Sequence, residues 1–455
     1  MLGDNEKARL DFVYSAIQEH KSSPEYKEAV IANDYARQHN TTIVQYQKFL
    51  YTVAGNRVPD NFSANYKLCS NFFNRFITQL NQYLLGNGVT FKEKTTKDKL
   101  GADFDYQVQD AGYDALCAGV SFGFWNYDHL EVFELTQFKP LYDENNGALM
   151  AGIRFWQLEN ARPLRAILYE VDGYTEYIWN QRENEKGEVE YQGEIYKEKR
   201  AYKEKYTYSE ADGIEIYDGE NYEGFPIVPL YANKFKQSEL SGMRENIDCY
   251  DLIKSGFANN IDDASEIFWT ITNAGGMDDL DLVKFIERMK TIKASTLENQ
   301  EQVQTHTIDI PHEGREAMLN RLRTDMYDDF MALDTKAIAD GAVTATQIEA
   351  SYEPLNQKAD KFEYQVSKFI LEILKLSGIK NEKPTYTRST IVNKSEEVDN
   401  ITKSAMYLTP DYCTKKILTI LGDGDEAEKI INEIHELQMQ AQGINTDTDN
   451  DDDME

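Results

Sequence analysis

The sequence contains no run of about 20 apolar residues, the length that crosses a bilayer core, and its opening stretch MLGDNEKARLDF carries no apolar signal segment. Both absences lead us to expect a chain made and kept in a cytoplasm-like compartment. Cysteine is scarce: Cys69, Cys117, Cys249 and Cys413 lie far apart with no CxxC pair, a pattern of buried free thiols rather than of disulfides or a metal site. Positive charge is short as well. Against 79 Asp and Glu stand 48 Lys and Arg, a net charge of −31 and a pI near 4.6. That balance argues against a general phosphate-gripping surface, because an acidic protein repels nucleic acid outside local basic patches. It suits a surface past which a polyanion slides without sticking.

Catalytic motifs are missing too. There is no GxxxxGK followed by Ser or Thr, so no phosphate-binding loop of a nucleotide motor, and Gly119 and Gly123 do not make a dinucleotide fingerprint. His312-Glu313 and His435-Glu436 each lack the second histidine of a zinc helix. Asp447, Asp449 and Asp451 echo a calcium loop without its sixth-position glycine or twelfth-position glutamate, and read as part of an acidic disordered tail. No GxSxG elbow occurs. The pairs Asp262-Asp263 and Asp328-Asp329 lie opposite apolar helix faces and read as solvated rather than as nuclease carboxylates. We therefore expect no catalytic residue, no metal ligand and no cofactor.

What is present is length enough for two or three domains, in 455 residues, and aromatics in abundance, with 29 Tyr and 21 Phe suited to large interfaces as well as cores. Residues 4–50 read as polar helices. Leu68, Phe72, Phe76, Leu80 and Tyr83 form a helical face stopped by Gly86 and Gly88, and a further helix is expected over 104–121. From 129 to 233 the chain reads as antiparallel strands, with turn signals at Asn145-Asn146-Gly147, Asp172-Gly173, Lys186-Gly187 and Asp218-Gly219. The fold class is α+β.

At Ser238 the period changes. Leu240, Met243, Ile247, Tyr250, Ile253, Phe257, Ile261, Ala264, Phe268 and Ile271 fall at helical spacing, and Glu245, Asp248, Asp251, Asp262, Asp263 and Glu266 form an acidic opposite face. A small module over 277–310, expected as one short helix and two strands, carries Lys284, Arg288, Lys290 and Lys293. These four read either as a solvated basic face or as a docking surface for an acidic partner or DNA. Another helix is expected over 313–333, with Leu319, Leu322, Met326, Phe330 and Leu333 on one face. The small polar stretch 333–345 reads as a loop. It feeds a helix over 344–378, roughly 50 Å long, whose stripe runs from Ile348 to Leu376, with a kink expected at 349–352 ahead of Pro354. Residues 380–401 are expected to be extended and to pack back on the α+β region. Short helices follow Thr409-Pro410 and span 427–442.

Five stretches carry a resemblance, in order along the chain: NFSANYKLCSNFFNRFITQLNQYLLGNGVTF at 61–91, FPIVPLYANKF at 225–235, ENIDCYDLIKSGFANNIDDASE at 245–266, IPHEGREAMLNRLRTDMYDDF at 310–330, and ATQIEASYEPLNQKADKFEYQVSKFILEIL at 345–374. The third holds an Asp-x-Tyr-Asp-x-x-x-Ser-x-x-x-Asn-x-Ile pattern. Together they resemble the portal proteins of tailed bacteriophages, the head–tail connectors of siphophage type. Asp34-Tyr35-Ala36-Arg37 departs from that family's tyrosine-glycine entry pattern.

The resemblance implies a phage portal fold: an α+β wing (1–237, with 380–400 returning to it), long stem helices (238–272 and 312–332) and a small α/β clip insertion (273–311). A tunnel loop (333–345), a long kinked helix (346–379), a helical C-terminal crown (401–443) and a disordered acidic tail (444–455) complete it. It implies a dodecameric ring at one capsid vertex of the virion, assembled in the host cytoplasm, through which double-stranded DNA is packaged and ejected. The implied partners are the terminase large subunit, a head-completion or tail adaptor protein, and the major capsid and scaffolding proteins, with no membrane. Thr335, Lys336, Asp340, Gly341 and Thr344 would face DNA, with Lys336 the phosphate contact. Lys284, Arg288, Lys290 and Lys293 would dock terminase and adaptor. Ile247, Tyr250, Phe257, Ile261, Leu322, Met326 and Phe330 would pack the ring. Two other classes compete: a non-portal scaffold or baseplate protein, separated by the absence of an annular particle, and a metal-dependent DNA-processing enzyme, separated by metal-dependent cleavage.

Overall fold

The computed structural model describes residues 6–51, 55–61, 63–159, 161–183, 189–209, 214–264, 268–272, 284, 302–306, 312–336, 345–389 and 394–441. The chain is α+β and divides into two compact units, Met1–Leu333 with Pro354–Arg388, and Asp334–Glu353 with Ser389–Glu455.

The first unit is organised around the strand Val120–Asn126, VSFGFWN, buried along nearly its whole length. It leaves the helix Phe104–Ala118 through Gly119, whose φ of +91° suits glycine and whose N–H donates to Ala115 O at 2.7 Å. The strand pairs antiparallel with His129–Glu134 on one side and Ile227–Tyr231 on the other. On one face, Ser121 Oγ donates to Ala111 O at 2.7 Å, and Gly123 lies against the ring of Phe369. A Cβ at Gly123 would stand 2.4 Å from Phe369 Cζ, so only glycine lets the 354–376 part of the long helix approach the sheet this closely. From the other face, Phe122 and Phe124 reach Phe138 and Tyr169, with ring centroids 4.5 and 5.2 Å apart.

Phe138 and Tyr169 belong to a five-stranded antiparallel sheet built from Phe138–Tyr142, Leu149–Trp156, Leu164–Glu170, Gly173–Glu183 and Val189–Arg200 in sequential order. The helix Glu6–Ser22 packs Val13, Ala16 and Ile17 on Ile153, Phe155, Ala166, Tyr177 and Trp179 of that sheet. Each large side chain enclosed between these layers contributes about 1.5–3 kcal/mol relative to exposure.

The region after the long helix returns to this unit. Thr385–Tyr386 pairs with Val89–Thr90, and Arg388 donates to Asn356 Oδ1 at 2.9 Å and to Glu363 Oε2 at 3.0 Å. Lys394–Ser404, however, is a helix, not the extended segment expected over 380–401. Its sequence sets Val398 and Ile401 at helical spacing among good helix formers.

Two further expectations are corrected. The helix that starts at Arg244 stops at Ala264, and Phe268 and Ile271 lie on the strand Phe268–Thr272, antiparallel to Gln302–His306. Two apolar residues three apart fit a helix face, but the β-branched and aromatic run FWTIT favours the strand. Asp218 and Gly219 lie inside the strand Ile214–Glu220, opposite Lys205 and Glu204 rather than at a turn. Lys186-Gly187 falls outside the described residues, as does the 277–310 module apart from Lys284 and 302–306.

In the second unit the helices Lys394–Ser404, Pro410–Leu421 and Ala427–Ala441 follow one another. Pro410 takes the first helical position after Thr409, and Gly422, at φ +112°, ends that helix. Lys415 Nζ to Glu428 Oε1 at 3.0 Å and His435 Nε2 to Asp411 Oδ1 at 2.8 Å link the last two. The helix Ala345–Leu376 runs through Pro354, where the division between the units falls.

Candidate functional site

The helix Arg244–Ala264 carries a polar ridge at four-residue spacing: Asp251, Ser255 and Asn259. Four helical residues rise about 6 Å, and alternate residues of an extended chain advance about 6.6 Å, so the two repeats stay in step over three contacts. The segment 66–70 uses that match. Tyr66 N donates to Asn259 Oδ1 at 2.6 Å, Leu68 N to Ser255 Oγ at 3.0 Å, and Ser70 N to Asp251 Oδ1 at 2.8 Å. Asn40 Nδ2 donates to the other oxygen of Asp251, which is fully buried.

Burial pushes the Asp251 carboxyl above its ordinary range, and the bonds from Asn40 and Ser70 pull against that shift. One turn earlier, Asp248 accepts from Tyr35 Oη and, at 2.8 Å, from Thr42 Oγ1. The acidic face of this helix therefore includes a buried carboxylate, Asp251, enclosed by its hydrogen bonds. The spacing of Asp251, Ser255 and Asn259 in the quoted pattern was the available signal. What it lacked was the backbone it serves, almost two hundred residues earlier.

The helix His312–Phe330 lies antiparallel to Arg244–Ala264, since Asn246 Nδ2 donates to Asp329 Oδ2 at 3.3 Å while Arg315 sits over the Phe257 ring at 5.9 Å. Its C-terminal half enters an aromatic cluster. Phe76 stacks on Phe330 and meets Tyr327 edge-on, both at 4.9 Å between centroids, and Phe72 meets Tyr250 edge-on at 5.0 Å. Lys358 Nζ lies 3.4 Å from the centre of the Phe330 ring and 2.6 Å from Glu239 Oε2. Burial lowers the Lys358 pKa against the opposing pull of Glu239.

The helix ends at Met331, in the left-handed region at φ +64°, and Ala332 N donates to Tyr327 O at 2.9 Å. Gln79 then clamps the next residue with its amide: Nε2 donates to Leu333 O at 3.0 Å, and Leu333 N donates to Oε1 at 3.0 Å. Leu333, the last residue of this part of the first unit, is thus fixed by one side chain.

The residues singled out from sequence separate into three groups. Ile247, Leu322, Met326 and Phe330 are buried within the chain, Tyr250 and Phe257 are half-buried, and Ile261 is 53% exposed. Lys336 is exposed in a short helical turn with Thr335, its N–H donating to Asp334 Oδ1 at 3.1 Å, while Asp340, Gly341 and Thr344 lie outside the described residues. Lys284 is helical and exposed, and Arg288, Lys290 and Lys293 lie outside the described residues. Sequence reasoning missed Gln79, Asn40, Lys358 and Glu239, which act through contacts remote in the chain.

Among the described residues no group of three His, Cys, Asp or Glu side chains is placed to hold a metal ion, and no helix is long and apolar enough to cross a membrane. Chemically, the arrangement is a mount: it fixes two helices and the start of a loop. Residues 32–440 match the family described as "Phage portal protein, SPP1 Gp6-like". Over 241 residues the chain is 30% identical to the portal protein of Clostridium phage phiCD119, an alignment covering 50% of this chain and 52% of that protein, so it spans about half the length of that relative. Over 449 residues it is 22% identical to the portal protein of Bacillus phage SPP1, covering 89% of this chain and 83% of that one. The chain belongs to the SPP1 Gp6-like family of phage portal proteins.

Proposed function

We infer that copies of this chain form a ring, dodecameric in the virion, at one vertex of the capsid, and that double-stranded DNA enters and leaves through its axis. The family is a structural one, and the part assigned here is that of a conduit and docking platform. Terminase would dock during packaging and head-completion or tail proteins afterwards, with capsid and scaffolding proteins around the ring. The single observation that carries this reading is the antiparallel pair Arg244–Ala264 and His312–Phe330, which brackets an insertion and leads directly into a loop whose start is clamped by Gln79. A rigid pair of struts with a loop rooted at its end suits a wall lining a passage.

In this reading residues 1–237 and 380–400 are the wing, 238–272 and 312–332 the stem, and 273–311 the clip. Residues 333–345 are the tunnel loop, 346–379 the long helix and 401–443 the crown. The net charge of −31 per chain would repel DNA over most of the channel, leaving Lys336 as a local phosphate contact. Since Ile247, Leu322, Met326 and Phe330 are enclosed by their own chain, contact between neighbouring stems falls to exposed apolar side chains of the same helices, Leu252, Ile261 and Met318.

Mass measurement of the purified assembly together with particle imaging tests the proposal. Annular particles with an axial hole wide enough for duplex DNA are expected. A compact monomer at high concentration overturns it.

A further inference from the structure

A large cavity among the described residues lies away from the helix pair, in the first unit. It has a volume of about 1490 Å³ and is bounded by the strand Ile227–Tyr231, the turn at 147–149, and the helix and following segment at 365–382. Pockets for small molecules occupy about 300–1,000 Å³, so this groove is sized for a stretch of chain rather than a metabolite.

Its charge is opposite to that of the protein around it. Lys203, Lys234, Lys236, Lys368, Lys375 and Lys380 line it against only Glu223, Glu372 and Glu382, on a chain of net charge −31. Two of the three carboxylates are already engaged. Glu382 accepts from the backbone of Lys92 at 3.0 Å and Glu93 at 3.1 Å, and Glu372 faces Lys375 at 3.6 Å. Lys368 and Lys380 are exposed and form no ion pair with any described residue. Two large apolar side chains, Tyr142 and Leu371, are exposed in the same groove, 43% and 42% respectively.

We propose that this groove docks an extended, carboxylate-rich segment of a partner protein, with apolar side chains seated on Tyr142 and Leu371 and carboxylates held by Lys368 and Lys380. Charge and range select a peptide over nucleic acid. At physiological salt, charges interact over about 8 Å, so a short peptide in the groove feels the local lysines and little else. A duplex carries a charge every ~1.7 Å along its axis and extends well past the groove, over a surface dominated by acidic residues.

The test uses the full chain and a labelled ten-residue peptide alternating Glu and Leu, with a 20-base-pair duplex as the competing probe, read by fluorescence anisotropy. Peptide binding that weakens with added salt, and that falls at least about tenfold in the double variant Lys368→Glu/Lys380→Glu, is the expected result. Lys99→Glu, outside the groove, should bind as the parent does. Because Lys368 and Lys380 are exposed, the variant should keep the parent circular dichroism spectrum and melting temperature, and Lys368→Gln/Lys380→Gln repeats the measurement with a smaller charge change. Three results overturn the proposal: no peptide binding at low salt, equal binding by the reversed variant, or duplex binding that is preferred and lost with the same lysines. A change in assembly mass on charge reversal, with peptide binding unaffected, would instead give the groove to a second copy of this chain and also overturns it.

Discussion

The two compact units treat their large apolar side chains in opposite ways. In Met1–Leu333 with Pro354–Arg388, Phe73, Phe76, Phe122, Phe138, Phe362 and Phe369 are all within 2% of complete burial, and Phe76 is enclosed between helices. In Asp334–Glu353 with Ser389–Glu455, Tyr407 is 82% exposed, Met406 77% and Leu437 65%, and among the described residues after Ser389 only Cys413 and Ala427 are buried hydrophobics. Short helices draw most of their stability from a covered apolar face rather than from propensity. The first unit therefore supplies its own core, whereas the described helices of the second leave most of their large apolar side chains uncovered.

The harshest way to break that contrast is to cut into the layered core. Phe369→Ala removes the ring that fills the space over Gly123, and should cost about 3–5 kcal/mol, read as a lower urea midpoint with an unchanged slope. A loss below about 1 kcal/mol would mean that the long helix does not close this core.

Next comes the polar ladder. Asp251→Ala leaves the Ser70 N–H and the Asn40 amide facing a buried gap, and should cost about 2–4 kcal/mol. Asp251→Asn restores one acceptor and should recover part of the loss. An exposed acidic residue on the same helix, Glu245, should tolerate Ala within about 0.5 kcal/mol.

These two sites show how unevenly the structure can be read from sequence. The stripe from Tyr352 through Leu355, Ala359, Phe362, Val366 and Phe369 to Ile373 is legible because helix burial repeats every three to four residues, and each of those positions is buried, while Ile348 and Leu376 at its ends are half-buried. The turn signals at Asn145-Asn146-Gly147 and Asp172-Gly173 fall between paired strands, whereas Asp218-Gly219 is a turn dipeptide within a paired strand. Asp251 is a different case. Its spacing from Ser255 and Asn259 is visible, but a polar ridge looks the same whether water or a distant backbone answers it. Gln79 is harder still, because nothing near it in sequence signals that its amide meets Leu333. Local period is written in the chain, whereas a partner 254 positions away is supplied only by the fold.

A third effect sharpens the contrast through pH. Asp114 lies on the helix Phe104–Ala118, where burial first, then Glu134 and Asp110, push its carboxyl pKa up to about 8. In the unfolded chain the same group ionises near 4. Between these values the folded state holds a proton that the unfolded state has released, so this group makes stability fall as pH rises from about 4 to 8, and contributes a constant penalty above. The slope is at most about 1.4 kcal/mol per pH unit. Asp114→Asn is neutral throughout, so the variant should gain on the parent across that window. Melting temperatures from pH 5 to 8.5 that run parallel for the two proteins would remove Asp114 as the cause.

The smallest effect on stability belongs to the second unit, and it carries the comparison furthest. Tyr407→Ser and Leu437→Ser change side chains that are mostly in water, so unfolding should shift by no more than about 0.5 kcal/mol. If the exposed face is where other molecules complete the unit, the same substitutions should lower the fraction of chain found in the assembled particle, measured by sedimentation at fixed protein concentration. Loss of assembly without loss of stability is the signature of a contact made between chains, whereas a combined loss would mean that these side chains belong to an internal core. Phe369→Ala should show the combined loss, because its ring is enclosed before any second chain arrives. Running the three variants side by side therefore separates a residue that builds the subunit from one that joins it to others.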